Sequence, residues 1–549
     1  MSDNLVAQTS VSLKGRVTNN ALAPVRNASV HLLSTNLRAI TNEEGGFEIT
    51  DIAPGNYTVQ VHAAGFVQQQ TTVSLENSFF LDIKLEQLST YLDEVIVTAQ
   101  KREEQLRNIP FSLSVISSRE ARQFRLWNSE DLTGIVPNLY AADPGDNRNV
   151  ISIRGVTSTS YDPAVVTYVD GVSQFSLDTY IAELLDIERI EVLRGPQGTL
   201  YGRNAMGGVI NIITKQPGNK PGGFAEVNAG SFGLQRYAAG LRFPLIKNKL
   251  YAGVAAAFTK HSGYYTNEFD GSAFDRQKSV TSNYYIRYLP GSRWSLTLNL
   301  KQRAARNSGA FPLVFTAEEA LQRPFMLTQN NVATMKDNIL NASLSVMRAG
   351  TAFNFSSQTA WQRNYRYYTG SVDADFSALD AYAIYNNYGR SFNTSEVITQ
   401  EFKLVSAPSS AGLWKWTAGS YLFMQDNPVK QATRFGQDAK LAGAPDSLFS
   451  IINTTTARNY GISFYGQANR IITSKLELIV GLRYDWERKK LSILSEYQKD
   501  PDPDPLFPLV PDTAAKILLD AFSPRVGLLF HASEQVNIYF NYGRGYRPG

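Results

Sequence analysis

The run Asp186–Gly218, DIERIEVLRGPQGTLYGRNAMGGVINIITKQPG, decides how this chain is read. Ile187, Ile190 and Val192 form an apolar, strand-like entry, and Val209 to Thr214 form a second one on the way out. Between them stand Gly195, Gly198, Gly202, Gly207 and Gly208. Glycine tolerates positive φ and close backbone approach, so this density predicts a compact knot of turns between two short strands. A phosphate cradle is a poor fit, because the loop has no Lys-Ser or Lys-Thr pair and a strand, not a helix, follows it.

The same string resembles the end of the plug domain of TonB-dependent outer-membrane receptors, RGP.G.LYG...GGVINI. The match runs through Arg194, Gly195, Pro196, Gly198, Leu200, Tyr201, Gly202, Gly207, Gly208, Val209, Ile210, Asn211 and Ile212. The resemblance implies a small plug inside a transmembrane β-barrel, preceded by a short peptide that an inner-membrane partner grips. The flanks can be tested against that expectation.

Bulk composition leaves room for it. The chain has 549 residues, 43% of them hydrophobic, and a mean hydropathy of −0.23. No stretch approaches the roughly 18 apolar residues of a transmembrane helix, whereas barrel strands alternate and average to mild polarity. With 53 basic against 49 acidic residues the net charge is +4, which gives no case for nucleic acid. Cysteine is absent, which excludes disulfides and thiol catalysis and suits an exported bacterial protein. The 28 Tyr and 29 Phe could stock interfacial girdles or a large core. The opening MSDNLVAQTSVS shows no basic and no apolar signal-peptide region.

Residues 11–87 carry short alternating runs separated by Gly, Pro and Asn turns, the pattern of a small antiparallel β-sandwich. Gly15 to Val17, Thr41 to Ile49 and Pro54 to Phe66 resemble the carboxypeptidase-regulatory-like domain, an Ig-like or transthyretin-like module without catalytic function. His31 and His62 lack a metal-spaced partner and read as ordinary strand positions.

Residues 88–105 follow as box and linker. Asp93, Glu94, Val95, Ile96, Val97, Thr98 and Ala99 make an extended, β-branched run, on its own a strand or a linker. By resemblance it is the TonB box, bound by TonB (with ExbB and ExbD) through strand addition, which needs free backbone groups and alternating side chains.

Residues 106–218 read as the α+β plug. SEDLTGIVPNLY and NVISIRGV resemble further plug segments, and Ser118 with Arg119 and Glu120 reads as a helix entry. Arg154 and Arg194 lie beside strands. A buried arginine needs a carboxylate, and the resemblance implies pairing with a barrel glutamate, for which Glu401 is the candidate.

From 222 to 549 the period becomes two. Trp294, Leu296, Leu298 and Leu300 alternate with Ser295, Thr297, Asn299 and Lys301, and the pattern recurs around Val280–Tyr288, Ala342–Val346, Leu476–Tyr484 and Val526–Tyr542. Short turns (near 244–248, 290–292, 348–350, 406–412, 470–474 and 531–534) interleave with long loops (near 260–278, 304–336, 362–395, 424–457 and 486–518). That alternation predicts an outer-membrane barrel with short periplasmic turns. Roughly 13 strands are countable where plugged transporters have about 22. The closing NYGRGYRPG resembles a mid-barrel segment, so the sequence is expected to be a piece of a longer chain.

No HExxH, GxSxG or paired-carboxylate arrangement supports an enzyme, and no cofactor or bound metal is expected; iron enters only within a transported ligand. The expectation is a TonB-dependent importer in the bacterial outer membrane, its N-terminal domain periplasmic and its barrel against lipid. The string resembles iron-complex receptors, which makes a ferric siderophore the first choice. Oligosaccharide uptake beside a surface lipoprotein is the alternative. Tyr140, Asp143, Asn147, Tyr161, Asp162 and Phe175 of the plug, with the loop aromatics Tyr264, Tyr265 and Phe311, are the ligand-facing candidates.

Overall fold

A computed structural model describes residues 10–19, 22–63, 66, 68–86, 96–158, 160, 162–407, 412–533 and 536–548. The chain forms two units, Met1–Val95 and Ile96–Gly549.

In the first unit seven strands, β1 (Val11–Asn19), β2 (Ser29–Leu32), β3 (Arg38–Ile40), β4 (Gly46–Ile52), β5 (Gly55–His62), β6 (Gln69–Leu75) and β7 (Phe79–Leu85), make two sheets, β4-β1-β7 and β3-β2-β5-β6. Alternate residues point inward, so Leu13 and Val17 meet Val30, Leu32, Val59 and Leu75 in one core. The sandwich is not wholly antiparallel. β7 lies parallel to β1, from Leu13 opposite Phe79 to Asn19 opposite Leu85. The turn after β6 crosses between sheets and does not close a hairpin, which spacing alone does not disclose.

The second unit contains the plug and the barrel. The plug sheet has the order Leu113–Ser117, Ile187–Arg194, Gly208–Thr214, Val165–Val169, Val172–Gln174. Its two central strands are the entry and exit of the glycine-rich stretch. Gly195, Gly202 and Gly208 adopt positive φ there. A Cβ on Gly198 would lie 2.4 Å from the Arg544 carbonyl oxygen, so the knot also needs glycine for its approach to the barrel end of the chain. One helical turn, Gly198–Tyr201, sits inside the knot. Helix Ser118–Gln123 begins at the expected Ser118, with a capping box between Ser117 and Glu120.

Among the described residues thirteen strands form the barrel wall in chain order, from Gly222–Ala229 to Asn537–Gly543, each antiparallel to the next. Their outward residues are apolar and exposed: Val280, Tyr284, Ile286 and Tyr288 at 38–50%, Leu298 and Val480 at 49%. Inward residues are polar and buried, including Asn283, Asn299, Arg303 and Asp337. An apolar outer face around a polar interior is the solvent-inverted pattern of a membrane barrel. No helix among the described residues is long and apolar enough to cross a membrane.

Two of the expected loops are largely strand. Trp414–Phe435, Phe449–Thr473 and Leu476–Lys499 run for 22, 25 and 24 residues, and Phe507–Phe522 pairs with the last of them. A strand rises about 3.3 Å per residue, so these hairpins continue well past a hydrocarbon band roughly 25 Å tall. The segments near 424–457 and 486–518 read as loops because they carry no strict apolar alternation, yet most of their residues remain in the sheet.

Candidate functional site

At the short-turn end of the barrel the chain enters the plug through Ile96–Val97, which pairs antiparallel with Glu104–Gln105. Asp93, Glu94 and Val95 lie outside the described residues. Val97 and Ala99 are fully buried against Leu193, Leu200 and Tyr201. The Thr98 backbone N–H donates to Glu191 Oε1 at 2.9 Å, and its hydroxyl donates to the same carboxylate at 3.2 Å. Glu191 is completely buried and also accepts from Asn211 Nδ2 at 3.0 Å and Arg189 Nε at 2.8 Å. A carboxylate saturated by donors holds its neighbours firmly.

Two residues on, Lys101 forms a buried ion pair with Glu401, which also accepts from the Tyr465 hydroxyl at 2.7 Å. The Lys101 ammonium lies 5.4, 5.4 and 5.0 Å from the ring centroids of Tyr168, Tyr201 and Tyr465, within cation–π range. Burial lowers Lys101 to about 8, with Glu401 opposing a further fall. Glu401 therefore belongs to Lys101, and the expected pairing with Arg154 or Arg194 is corrected. Arg154 is exposed. Arg194 donates to Ser112 Oγ at 2.8 Å and to the Pro137 carbonyl at 3.3 Å, neutral acceptors that suffice for a partly hydrated guanidinium.

Most of the charge at the plug–wall seam has the opposite polarity: plug carboxylates meet barrel cations. Asp170 pairs with Lys301, Asp178 with Arg366, Glu183 with Arg303 and Asp186 with Arg242. Glu183 also accepts from Ser279 and Thr281. Its carboxyl is held below the ordinary value, Arg303 and these hydroxyls outweighing burial.

At the long-loop end, the hairpin Leu139–Ala142/Val150–Ile153 presents its loop 143–149 to the barrel. The Asp143 carboxylate accepts from the backbone N–H groups of Gly145, Asp146 and Asn147. The Gly145 carbonyl accepts from Phe311 N at 3.0 Å, and a Cβ on Gly145 would lie 2.9 Å from Phe311 Cα. Two cavities flank this contact. One, of about 470 Å³, is lined by Trp127, Glu130, Asp143, Asn149, Tyr264 and Asn307 among others. The other, of about 500 Å³, has aromatic and aliphatic walls (Phe311, Tyr368, Phe376, Phe392) over Arg148, Arg366 and Asp178. Both volumes suit a small ligand.

Among the ligand-facing candidates, Asp143, Asn147 and Tyr264 line the first cavity and Phe311 lines the second. Tyr265 lines a smaller outer recess with Phe325. Tyr140 is exposed at 63% and lines neither cavity. Tyr161 lies outside the described residues. Asp162 is engaged by Arg203 at 2.6 Å and Lys489 at 3.4 Å. Phe175 corrects the expectation most clearly: it is 3% exposed, packed with Val397, Tyr421 and Phe423, and covered by the Arg203 guanidinium at 4.5 Å.

Three residues that sequence reasoning missed shape the first cavity. Glu130 is pushed up to about 7 by burial and by the nearby Asp143 and Asp131 carboxylates. Asn149, 3% exposed, has neither side-chain atom hydrogen-bonded, and Asn307, 1% exposed, has a free Oδ1, among the described residues. Leaving such a group unmet costs about 1–3 kcal/mol. The DPGDNRN string announces a tight loop, but nothing local places it against residue 307.

Residues 105–209 match the TonB-dependent Receptor Plug Domain, 329–549 the TonB dependent receptor-like β-barrel and 12–86 the Carboxypeptidase regulatory-like domain. The chain is 38% identical over 184 residues to the pesticin receptor of Yersinia pestis, covering 32% of this chain and 27% of that one. It is 33% identical over 128 residues to the catecholate siderophore receptor Fiu of Escherichia coli K12, covering 23% of this chain and 16% of that one. This chain thus spans about a quarter or less of those relatives. The fold is similar to the ferric yersiniabactin uptake receptor FyuA from Yersinia pestis, with TM-score 0.68, 22% identity, 80% of this chain and 65% of that chain. It is also similar to the open form of the ferric-catecholate import receptor Fiu, with TM-score 0.61, 17% identity, 82% of this chain and 71% of that chain.

Proposed function

The chain belongs to the TonB-dependent receptors, its plug and barrel matches together taking in more than half of it, and on that premise we propose that it imports a ferric siderophore across the outer membrane. Receptors of this family transport and do not catalyse. The observation that carries the proposal is the pairing of two sites on one plug. Ligand-sized cavities flank its loop at one end of the barrel, and a peptide sealed by Glu191 sits at the other. Residues 93–99 are the proposed TonB-binding segment, with ExbB and ExbD supplying the force. In the resting state Ile96–Val97 is already paired with Glu104–Gln105, so an incoming partner strand has to displace an internal one. Ligand bound against loop 143–149 biases the plug toward releasing that pairing. The relatives named above are a pesticin receptor and a catecholate siderophore receptor, which supports an iron chelate over a glycan.

The test is uptake by cells whose only receptor of this type is the full-length protein, with and without residues 93–99. Radioactive ferric chelates should accumulate only with the segment present. Iron uptake indifferent to the deletion removes the importer reading, and growth on oligosaccharide with a co-expressed surface lipoprotein, but no iron uptake, replaces the ligand.

A further inference from the structure

We infer that Asn149 and Asn307 are specificity-determining residues, and that the cavity they line selects an iron chelate of near-zero net charge bearing amide or hydroxamate groups. The inference rests on the importer reading and concerns which ligand that site accepts.

The cavity lies between the plug and the wall strands Gln235–Ile246 to Trp294–Ser308. Its lining holds five carboxylates and five lysine or arginine side chains, so the formal charges balance. Most of these charges are already answered. Arg303 is shared between Glu183 and Asp337, Arg148 pairs with Asp146, and Arg236 pairs with Glu226. Asp143 and Asp275 accept from backbone N–H groups, and Asp131 accepts from Trp127 N and Asn128 N.

Lys260 and Lys278 are exposed, where water screens their charge; the buried groups left unmet are neutral. Asn149 offers a donor and an acceptor with no partner, and Asn307 offers Oδ1, its Nδ2 being spent on the Gly145 carbonyl at 3.4 Å. Both are over nine-tenths buried. A ligand is recognised through the groups the protein has left unmet, and a site with buried, unsatisfied polar atoms rejects ligands that cannot complete them. A secondary amide presents an N–H donor beside a carbonyl acceptor, the complement of a carboxamide, and an iron-bound hydroxamate, having lost its proton, presents oxygen acceptors to Asn149 Nδ2. The carbonyl of Gly145, which Asn307 touches, also accepts from the Phe311 N–H, so occupation of these amides reaches the plug–loop contact directly.

The experiment is tryptophan-fluorescence titration of the full-length receptor in detergent with two probes, an uncharged ferric trihydroxamate carrying secondary amides and a trianionic ferric tris-catecholate without amides. The trihydroxamate should bind at least about tenfold more tightly, and Asn149→Ala and Asn307→Ala should each weaken it roughly three- to tenfold while leaving the tris-catecholate unchanged. Asn149→Ser, which keeps a hydroxyl donor and acceptor, should recover part of the loss and guards against a folding defect in the alanine variant. Preference for the tris-catecholate overturns the inference and leaves the importer reading intact. Variants that bind the trihydroxamate as the parent does show that only water meets these amides, and also overturn it. Binding of neither chelate overturns the importer reading, and this inference with it.

Discussion

Lys101 shows what a single buried cation requires. Its side chain is 7% exposed and that of Glu401 12%, so removing the carboxylate strands a charge inside three aromatic rings. Glu401→Ala is expected to destabilise the second unit by about 3–5 kcal/mol, while the apolar pair Lys101→Met with Glu401→Leu should restore most of that, both read by denaturant unfolding. Glu130 makes the opposite case. Its folded value near 7 lies above the ordinary 4.5, so the native state binds the proton more tightly than the unfolded chain. Its stabilising contribution is complete below about 4.5 and is lost as pH rises through 7. Glu130→Gln should therefore match the parent in acid and exceed it by roughly 1–2 kcal/mol above pH 7, a figure discounted for partial exposure, and a flat difference across pH would contradict the assignment. Neither residue stood out in the sequence. A lysine in a polar linker acquires its chemistry from strands hundreds of positions away, and a glutamate beside an aspartate acquires its own from burial and a loop carboxylate at Asp143. Arg154 and Arg194, which did stand out, remain near water.

At the scale of the strand, exposure has two meanings. Val480 and Leu491 are both exposed, on one strand, at 49% and 39%, but their odd separation puts Val480 on the outward face and Leu491 on the inward one. Val480 lies four residues into the strand that begins at Leu476, after the short turn; Leu491 lies about 35–40 Å further along the tilted strand, beyond the hydrocarbon. Val480→Arg should cost about 2–4 kcal/mol in folding into lipid vesicles, and Leu491→Arg close to nothing, as measured by heat-modifiable mobility. Equal costs would mean that the overhang is wrongly placed. Periodicity made the lipid-crossing part legible because lipid demands an apolar face there. It could not show where strands end, since ERKKLSILSEYQK stays in the sheet through its register with Phe449–Thr473 and Phe507–Phe522. The glycine knot was legible for a related reason: Gly195 and Gly202 need positive φ, a demand of the backbone itself. The contact of Gly198 with Arg544 was not, because it depends on a partner residue far along the chain.

For the molecule as a whole, the central matter is how an event at the long-loop end reaches the peptide at the other. The Thr98–Glu191 seal sets the resting exposure of that peptide. Glu191→Gln, which weakens the acceptor without emptying the space, should speed amide exchange at Thr98 roughly tenfold or more while leaving the melting temperature of the second unit nearly unchanged, by hydrogen-exchange mass spectrometry. Unchanged protection would mean that packing of Val97 and Ala99, not the carboxylate, keeps the segment in place. The long hairpins carry a separate consequence. From Trp414 to Lys499 the barrel continues upward as hydrogen-bonded ribbon, whereas connections 262–275, 309–333 and 369–393 are mostly irregular. The rim is therefore lopsided, one side a continuous ladder and the other held by short segments, so amide exchange should be slower on the first.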